Sequence, residues 1–309
     1  MFKLLPMTIS RRAFVKQTAL TAASATLFSK SLLAIGKHKP ALLTGLQLYS
    51  VRDDMKLDPL GTLKKLAAMG YKYVEHANYI DRKFYGWSAK EFRKVLDDLG
   101  LVMPSGHTVL NKQHWDEGKK EFTDAWKYTV DDAAVLGQQY VISPWLDESW
   151  RKEYDTLLRY MDVFNRSGEL CQKAGMQFGY HNHHFEFNES LNNSTLYDLI
   201  LQHTDPKLVV QQLDIGNMYS GGGRALDVIK KYPGRFPSMH VKDEIKSSNA
   251  EGYESTILGK GIIETRKVVE LGVSAGGTVH LIIEQESYQG RKPIDDMKED
   301  LGIMKSWGY

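Results

Sequence analysis

From residue 42 to the C-terminus, short apolar runs alternate with longer segments whose apolar residues recur at helical spacing. The runs predict strands at 44–50, 71–76, 101–107, 139–144, 176–183, 208–213, 236–242 and 279–284. The periodic segments predict helices at 58–69, 88–99, 122–136, 152–174, 194–202, 224–231, 262–271 and 293–307. Local chemistry marks several ends. Asp58 precedes Pro59 as an N-cap, Ser88 and Glu91 have the spacing of a capping box, and Gly70, Gly100 and Gly137 stand where helices stop. Between residues 243 and 260 the chain turns polar, rich in Ser, Gly and Glu, which predicts a long loop able to act as a lid.

Strict alternation of strand and helix implies parallel strands joined by helical crossovers. Eight such pairs in about 270 residues match a TIM barrel, a single (β/α)8 domain. The competing arrangement is a doubly wound open sheet. Against it, Gln47-Leu48-Tyr49-Ser50-Val51 follows the first strand where a Gly-x-Gly-x-x-Gly turn would stand. Ahead of the barrel, Ser10-Arg11-Arg12-Ala13-Phe14-Val15-Lys16 and a weakly apolar stretch at 18–34 resemble a bacterial twin-arginine (Tat) export signal. The expected organisation is a cleavable signal peptide with a short linker at 1–36 and the barrel at 37–309. A soluble, periplasmic mature protein follows, with no membrane attachment after cleavage, since the apolar stretch is short and no Cys follows it as a lipid anchor.

Composition narrows the partners. With 42% hydrophobic and 25% charged residues, 309 residues can bury a full core, and a net charge of +2 offers nucleic acid no basic excess. The lone Cys171 leaves neither a disulfide framework nor a thiolate metal site. A small molecule is the expected partner, and a homo-oligomer is compatible with everything read so far.

Chemistry concentrates at strand ends, where a TIM barrel keeps its active site. The richest stretch is Tyr180-His181-Asn182-His183-His184-Phe185-Glu186-Phe187. Strand alternation sends His181 and His183 to one face, about 6–7 Å apart, and Asn182 and His184 to the other. A surface His cluster is the bland alternative, and the flanking apolar residues argue against it. Other strand ends add Glu75 and His76, His107, Trp145, Asp214, His240 and Lys242, and Glu284 with Glu286. Asp214 and Asp243 also suit helix capping. Imidazoles and carboxylates on four consecutive strands, without thiolate, suit a divalent Mn, Mg, Co or Zn ion with open coordination positions.

These residues resemble the sugar phosphate isomerase/epimerase superfamily, the xylose isomerase-like TIM barrels. The marks include Gly45-Leu-Gln-Leu-Tyr-Ser-Val-Arg52, Gly70-Tyr-Lys-Tyr-Val-Glu75, Gly179-Tyr-His-Asn-His183, Leu213-Asp-Ile-Gly216 and Met239-His-Val-Lys-Asp243, with Leu258-Gly-Lys-Gly-Ile262 and Ile283-Glu-Gln-Glu286. The resemblance implies a metal held by strands five to eight, usually through Glu, Asp, His and Glu, which maps onto Asp214, His240 and Glu284. Strand five departs, carrying the His cluster in place of Glu; His183 is the favoured fourth ligand, with His181 next to it as alternative ligand or catalytic group. Members with a Tyr-His-x-His pattern resemble inosose dehydratases and an exported branch acting on 3-keto sugars and glycosides.

Glu75 and His107 are further candidates for proton transfer or hydroxyl binding, Lys242 for anchoring an oxyanion, and Glu186 for one of a glutamate pair. Trp145, Trp87 and Trp115 are candidates to stack on a sugar ring. The implied chemistry is loss of a proton next to a carbonyl, stabilised by the metal, on a non-phosphorylated sugar or keto-sugar. Export and the lack of a Gly-rich phosphate cradle argue against sugar phosphates. Reprotonation would give an isomerase or epimerase, and expulsion of a β-oxygen a lyase or dehydratase. A periplasmic sugar-binding protein without turnover is the alternative class. A metal-dependent nuclease would need more ligands and a basic groove.

Overall fold

Eight parallel strands close into a barrel in sequential order: β1 (Leu43–Gln47), β2 (Tyr73–His76), β3 (Val102–His107), β4 (Tyr140–Ser143), β5 (Gln177–His181), β6 (Val209–Asp214), β7 (Ser238–Val241) and β8 (His280–Ile283). The first pairs with the last, Leu43 opposite His280 and Leu46 opposite Ile283, so no sheet edge is left open. The structure is a computed structural model that describes residues 42–309; the expected twin-arginine segment lies outside the described residues. The outer ring comprises α1 (Pro59–Met69), α2 (Ala89–Leu99), α3 (Asp124–Leu136), α4 (Tyr154–Lys173), α5 (Leu196–His203), α6 (Ala225–Lys231), α7 (Thr265–Leu271) and α8 (Pro293–Trp307). This is the single (β/α)8 barrel that the alternation predicts. Among the described residues no helix is long and apolar enough to cross a membrane.

Alternation along the strands sorts the core from the lumen. Leu46, Val74, Leu213, Met239, Leu281 and Ile283 join one buried apolar cluster with residues of the outer helices, including Leu63, Phe92, Ile229, Val268 and Met304. The intervening residues Gln47, Glu75, Ser105, Gln212, Ser238 and His240 are buried and polar, and they bond to one another inside the barrel. A separate small cluster of Tyr140, Ile142 and Val210 packs beside Gly179. A Cβ at Gly179 would lie 2.4 Å from Ile142 Cδ1 and 2.9 Å from Val210 Cγ2, so only glycine leaves room for this packing.

The structure departs from the expected boundaries for local reasons. β1 stops at Gln47 rather than at 50, because the Gln47 side chain accepts the Tyr49 amide at 3.1 Å and starts a 3-10 turn. α7 starts at Thr265 rather than at 262. The Asp243 carboxylate takes the amides of Glu244, Gly259, Gly261 and Ile263, so this stretch wraps around it instead of coiling. A Cβ at Gly261 would come within 2.1 Å of Asp243 Oδ1. The polar stretch expected as a lid loop carries an antiparallel ribbon, Asp243–Lys246 against Tyr253–Thr256. Two further ribbons turn on residues with positive φ, Tyr85-Gly86 and Asn192-Asn193, and end at the N-caps of α2 and α5.

α8 closes the ring through Asp300, whose Oδ1 accepts the Leu258 amide at 2.9 Å while Oδ2 has no partner. Burial, reinforced by Asp296 and opposed by the Leu258 amide, pushes this carboxyl from 3.8 up to about 7. Between those values the folded chain keeps a proton that the unfolded chain has released, so this group's contribution to stability falls as pH rises. Asp300→Asn keeps the acceptor for Leu258 and cannot ionise. It should raise the thermal unfolding midpoint at about pH 8 and change it little at about pH 4; an equal change at both would refute this account.

Candidate active site

The site is built upward from Glu75, which is fully buried at the end of β2. Its Oε1 accepts Gln47 Nε2 at 2.8 Å and lies 2.6 Å from His240 Nε2 and 3.2 Å from His107 Nε2. Its Oε2 accepts Gln212 Nε2 at 2.8 Å and the Ser105 hydroxyl. Burial alone would raise the pKa of this carboxyl; the His107 and His240 rings and the donated hydrogen bonds outweigh that and bring it to about 2. A charge in this position is stable only because donors from four other strands surround it.

Gln212 carries the order imposed by Glu75 to the mouth. A carboxylate can only accept, so the Gln212 amide must turn its NH2 toward Glu75, and its oxygen then faces His107 Nε2 at 2.6 Å and His181 Nδ1 at 3.0 Å. His181 therefore donates from Nδ1 and keeps a lone pair on Nε2, which lies 3.6 Å from Asp214 Oδ2. This is how an imidazole is prepared as a ligand by the group behind it.

Asp214 serves two purposes. Its Oδ1 accepts the Asn217 amide at 2.7 Å and caps the short helix Ile215–Ser220, while Oδ2 makes its contact with the Lys242 ammonium. Asn182 fixes the backbone here, giving Nδ2 to the Asp214 carbonyl and accepting the Asp214 amide, both at 2.9 Å. His240 stands between two carboxylates, Nδ1 2.8 Å from Glu284 Oε2 and Nε2 2.6 Å from Glu75 Oε1. Burial opposes its charge, but Glu284 and Glu75 raise its pKa to about 10. The buried Lys242 ammonium lies 3.1 Å from Asp214 Oδ2, 2.9 Å from Glu284 Oε2 and in contact with Glu286. Burial would lower its pKa; those carboxylates hold it well above the usual lysine value. Asp214 is raised to about 6, by burial first and with Glu284 adding to it against Lys242.

His181, Asp214, His240 and Glu284 offer one nitrogen or oxygen each, all within 4.8 Å of one another, and His107 forms a second close trio with His181 and His240. The lone pair on His181 and the close, all-N/O donor set fit a divalent ion. Above the group opens a cleft of about 910 Å³, lined among others by His107, His183, Trp145, Asn217, Glu284 and Glu286.

The residues singled out in the sequence separate into layers. His183, the favoured fourth ligand, lies outside the four-donor group: β5 ends at His181, alternation stops there, and the His183 ring stands on the cleft wall, 5.0 Å from Trp145 and 5.9 Å from Phe185. Glu186 is fully buried behind that wall, accepting the Tyr180 hydroxyl and the His183 amide, and burial raises it to about 8. Glu75 and Lys242 lie beneath the cleft surface; His107 lines it. Of the three tryptophans, Trp145 is exposed on the cleft, Trp87 stacks on Phe92 and Trp115 is buried against Phe122. Gln47, Gln212 and Asn182 were not singled out. For Gln212 the available signal was a polar pair, Gln211-Gln212, inside an otherwise apolar run.

A closed parallel barrel with nitrogen and oxygen donors from β5 to β8 at its C-terminal mouth defines a TIM barrel with a candidate metal centre. The chain belongs to the xylose isomerase-like TIM barrel family, whose model matches residues 63–307. It is 26% identical over 192 residues to an inosose dehydratase of Bacillus licheniformis, 55% of this chain and 63% of that protein. It is 28% identical over 148 residues to an inosose dehydratase of Geobacillus thermodenitrificans, 44% of this chain and 48% of that one. The matches thus span less than two thirds of these relatives' length. Among solved structures, a sugar phosphate isomerase/epimerase from Parabacteroides distasonis superposes with a TM-score of 0.70 at 26% identity, covering 88% of this chain and 96% of that one. The IOLI protein, solved with a bound zinc atom, superposes at 0.66 with 12% identity, over 86% and 98% of the two chains, and shares the fold.

If Glu75 organises the lumen, Glu75→Gln turns an obligate acceptor into a group that points an N–H at other donors and leaves His240 with one carboxylate. The variant should lose about 3 kcal/mol of folding stability, measured by denaturant unfolding, whereas a loss within error of zero would show that the network does not depend on this charge.

Proposed function

We propose that this protein is a divalent-metal-dependent enzyme that removes a proton next to the carbonyl of a non-phosphorylated sugar or keto-sugar, as a sugar isomerase or epimerase does. The observation that carries this reading is the convergence of His181, Asp214, His240 and Glu284 at the floor of an open cleft. A Mn, Mg, Co or Zn ion held by those four would supply Lewis acidity toward a carbonyl and a neighbouring hydroxyl. The remaining work falls to the chain's own groups. Gln212 keeps His181 in its ligating tautomer, and Glu75 holds the His240 ring in place. Lys242, against Asp214, Glu284 and Glu286, lowers the repulsion among these carboxylates. His183, whose ring lines the cleft wall, takes the substrate proton, and Glu286, on the same cleft after β8, is the second proton carrier.

A second reading, elimination of a β-oxygen after the same proton loss, is supported by the relatives that are inosose dehydratases. The two differ only in the fate of the carbanion. We also propose export to the periplasm by the twin-arginine route, from Arg11 and Arg12 ahead of an apolar stretch.

With Mn or Zn and a panel of keto-sugars in deuterated water, the protein should place deuterium on the carbon beside the carbonyl. His183→Ala should slow that exchange by about 10²–10⁴, and a chelator should stop it. A deuterated isomer indicates isomerisation or epimerisation, an unsaturated product indicates elimination, and a panel that yields neither exchange nor an unsaturated product would sink both. Replacing Arg11 and Arg12 by Lys should leave the protein in the cytoplasmic fraction; a protein still recovered from the periplasm would refute the export route.

A further inference from the structure

The cleft does not end at the donor group. From His107, His183 and Glu284 it continues outward between the loop after β2 and the start of α3, where Tyr79, Ile80, Arg82, Gln113 and Tyr128 line it. Its volume of about 910 Å³ is near the upper end for small-molecule sites and far exceeds the needs of one six-carbon ring. The exposed aromatic residues of the described chain, Tyr49, Tyr128 and Trp145, all line this one cleft. Scattered exposure would need no explanation, but its confinement to a single concavity points to a ligand.

The outer wall is rigidly built. Arg82 reaches Asp132 with two nitrogens at 2.8 and 3.0 Å, and Tyr79 donates its hydroxyl to the same carboxylate at 2.6 Å. The Arg82 guanidinium lies 4.2 Å from the centre of the Tyr128 ring. Asp81 and Arg82, φ 49° and 61°, are the central residues of a tight turn in which Ile80 and Lys83 exchange two backbone hydrogen bonds of 2.9 Å. Asn78, Asn111 and Gln113 add polar side chains along the same surface.

We infer that this outer compartment is a second subsite and that the substrate has two rings: a keto-sugar ring over the donor group and a second, hydroxylated ring joined to it, seated against Tyr128 and Arg82. Aromatic faces with polar edges suit such a ring, whose flat C–H face and hydroxyl rim call for both. This rests on the sugar reading above and adds to it the size of the substrate.

The test is equilibrium binding by calorimetry to the zinc-loaded His183→Ala protein, in which turnover is slowed. The probes are 3-ketoglucose and the 3-keto forms of cellobiose, sucrose and trehalose. At least one two-ring probe should bind about ten-fold more tightly than the single ring. Adding Tyr128→Ala, or the compartment-filling Ala125→Trp at an exposed position of α3, should erase that gain and leave 3-ketoglucose affinity within about two-fold. Circular dichroism and the retained single-ring affinity report that the variants are folded. Single-ring binding with no gain from the second ring overturns this proposal alone, as does equal weakening of both probes in the variants. Failure of every probe to bind overturns the sugar reading and this inference with it.

Discussion

An ionised carboxylate sunk in the axis of the barrel, that of Glu75, is the constraint around which the site is arranged. Removing such a charge from water is costly unless donors replace the lost hydration. Those donors come from Gln47 on β1, Ser105 on β3, Gln212 on β6 and His240 on β7, so satisfying one charge draws half the barrel's strands toward a single point. The amide of Gln212 has one way to face that charge, and its other end then dictates which nitrogens of His107 and His181 carry hydrogen. The lone pair left on His181 Nε2 at the mouth is thus a consequence of electrostatics one layer below it.

At the mouth, the charges are nearly balanced. Asp214, Glu284 and Glu286 crowd together, and they tolerate one another because Lys242 and His240 lie among them. In a poorly hydrated setting, opposite charges at about 3 Å interact far more strongly than they would at the surface. The arrangement therefore offsets the repulsion among its acids while the cleft-facing groups stay open to a ligand.

Much of the architecture was legible because its signals are local. Glycine stops, the Asp58 and Ser88 caps and the regular alternation of runs locate the elements to within a few residues. The exceptions are instructive. The turn after β1 depends on where the Gln47 side chain bonds, and the late start of α7 depends on Asp243 gathering amides up to 20 residues away. For the site, the strands that contribute donors could be read from the residues at their ends. That His181 and not His183 falls within the four-donor group could not be reached by period-two reasoning, which holds only while the chain stays extended. Gln212 was hidden for another reason: an uncharged amide in a strand has no motif, and its importance appears only when Glu75, 137 residues earlier, is seen beside it.

Asn182, between the two histidines, holds the next strand by its main chain alone, through the carbonyl and the amide of Asp214. Neither bond depends on the identity of the side chain at 214. The address of that carboxylate and its chemical character are therefore set by different residues. A barrel built in this way can exchange the group at position 214 for another without relocating the point from which it acts.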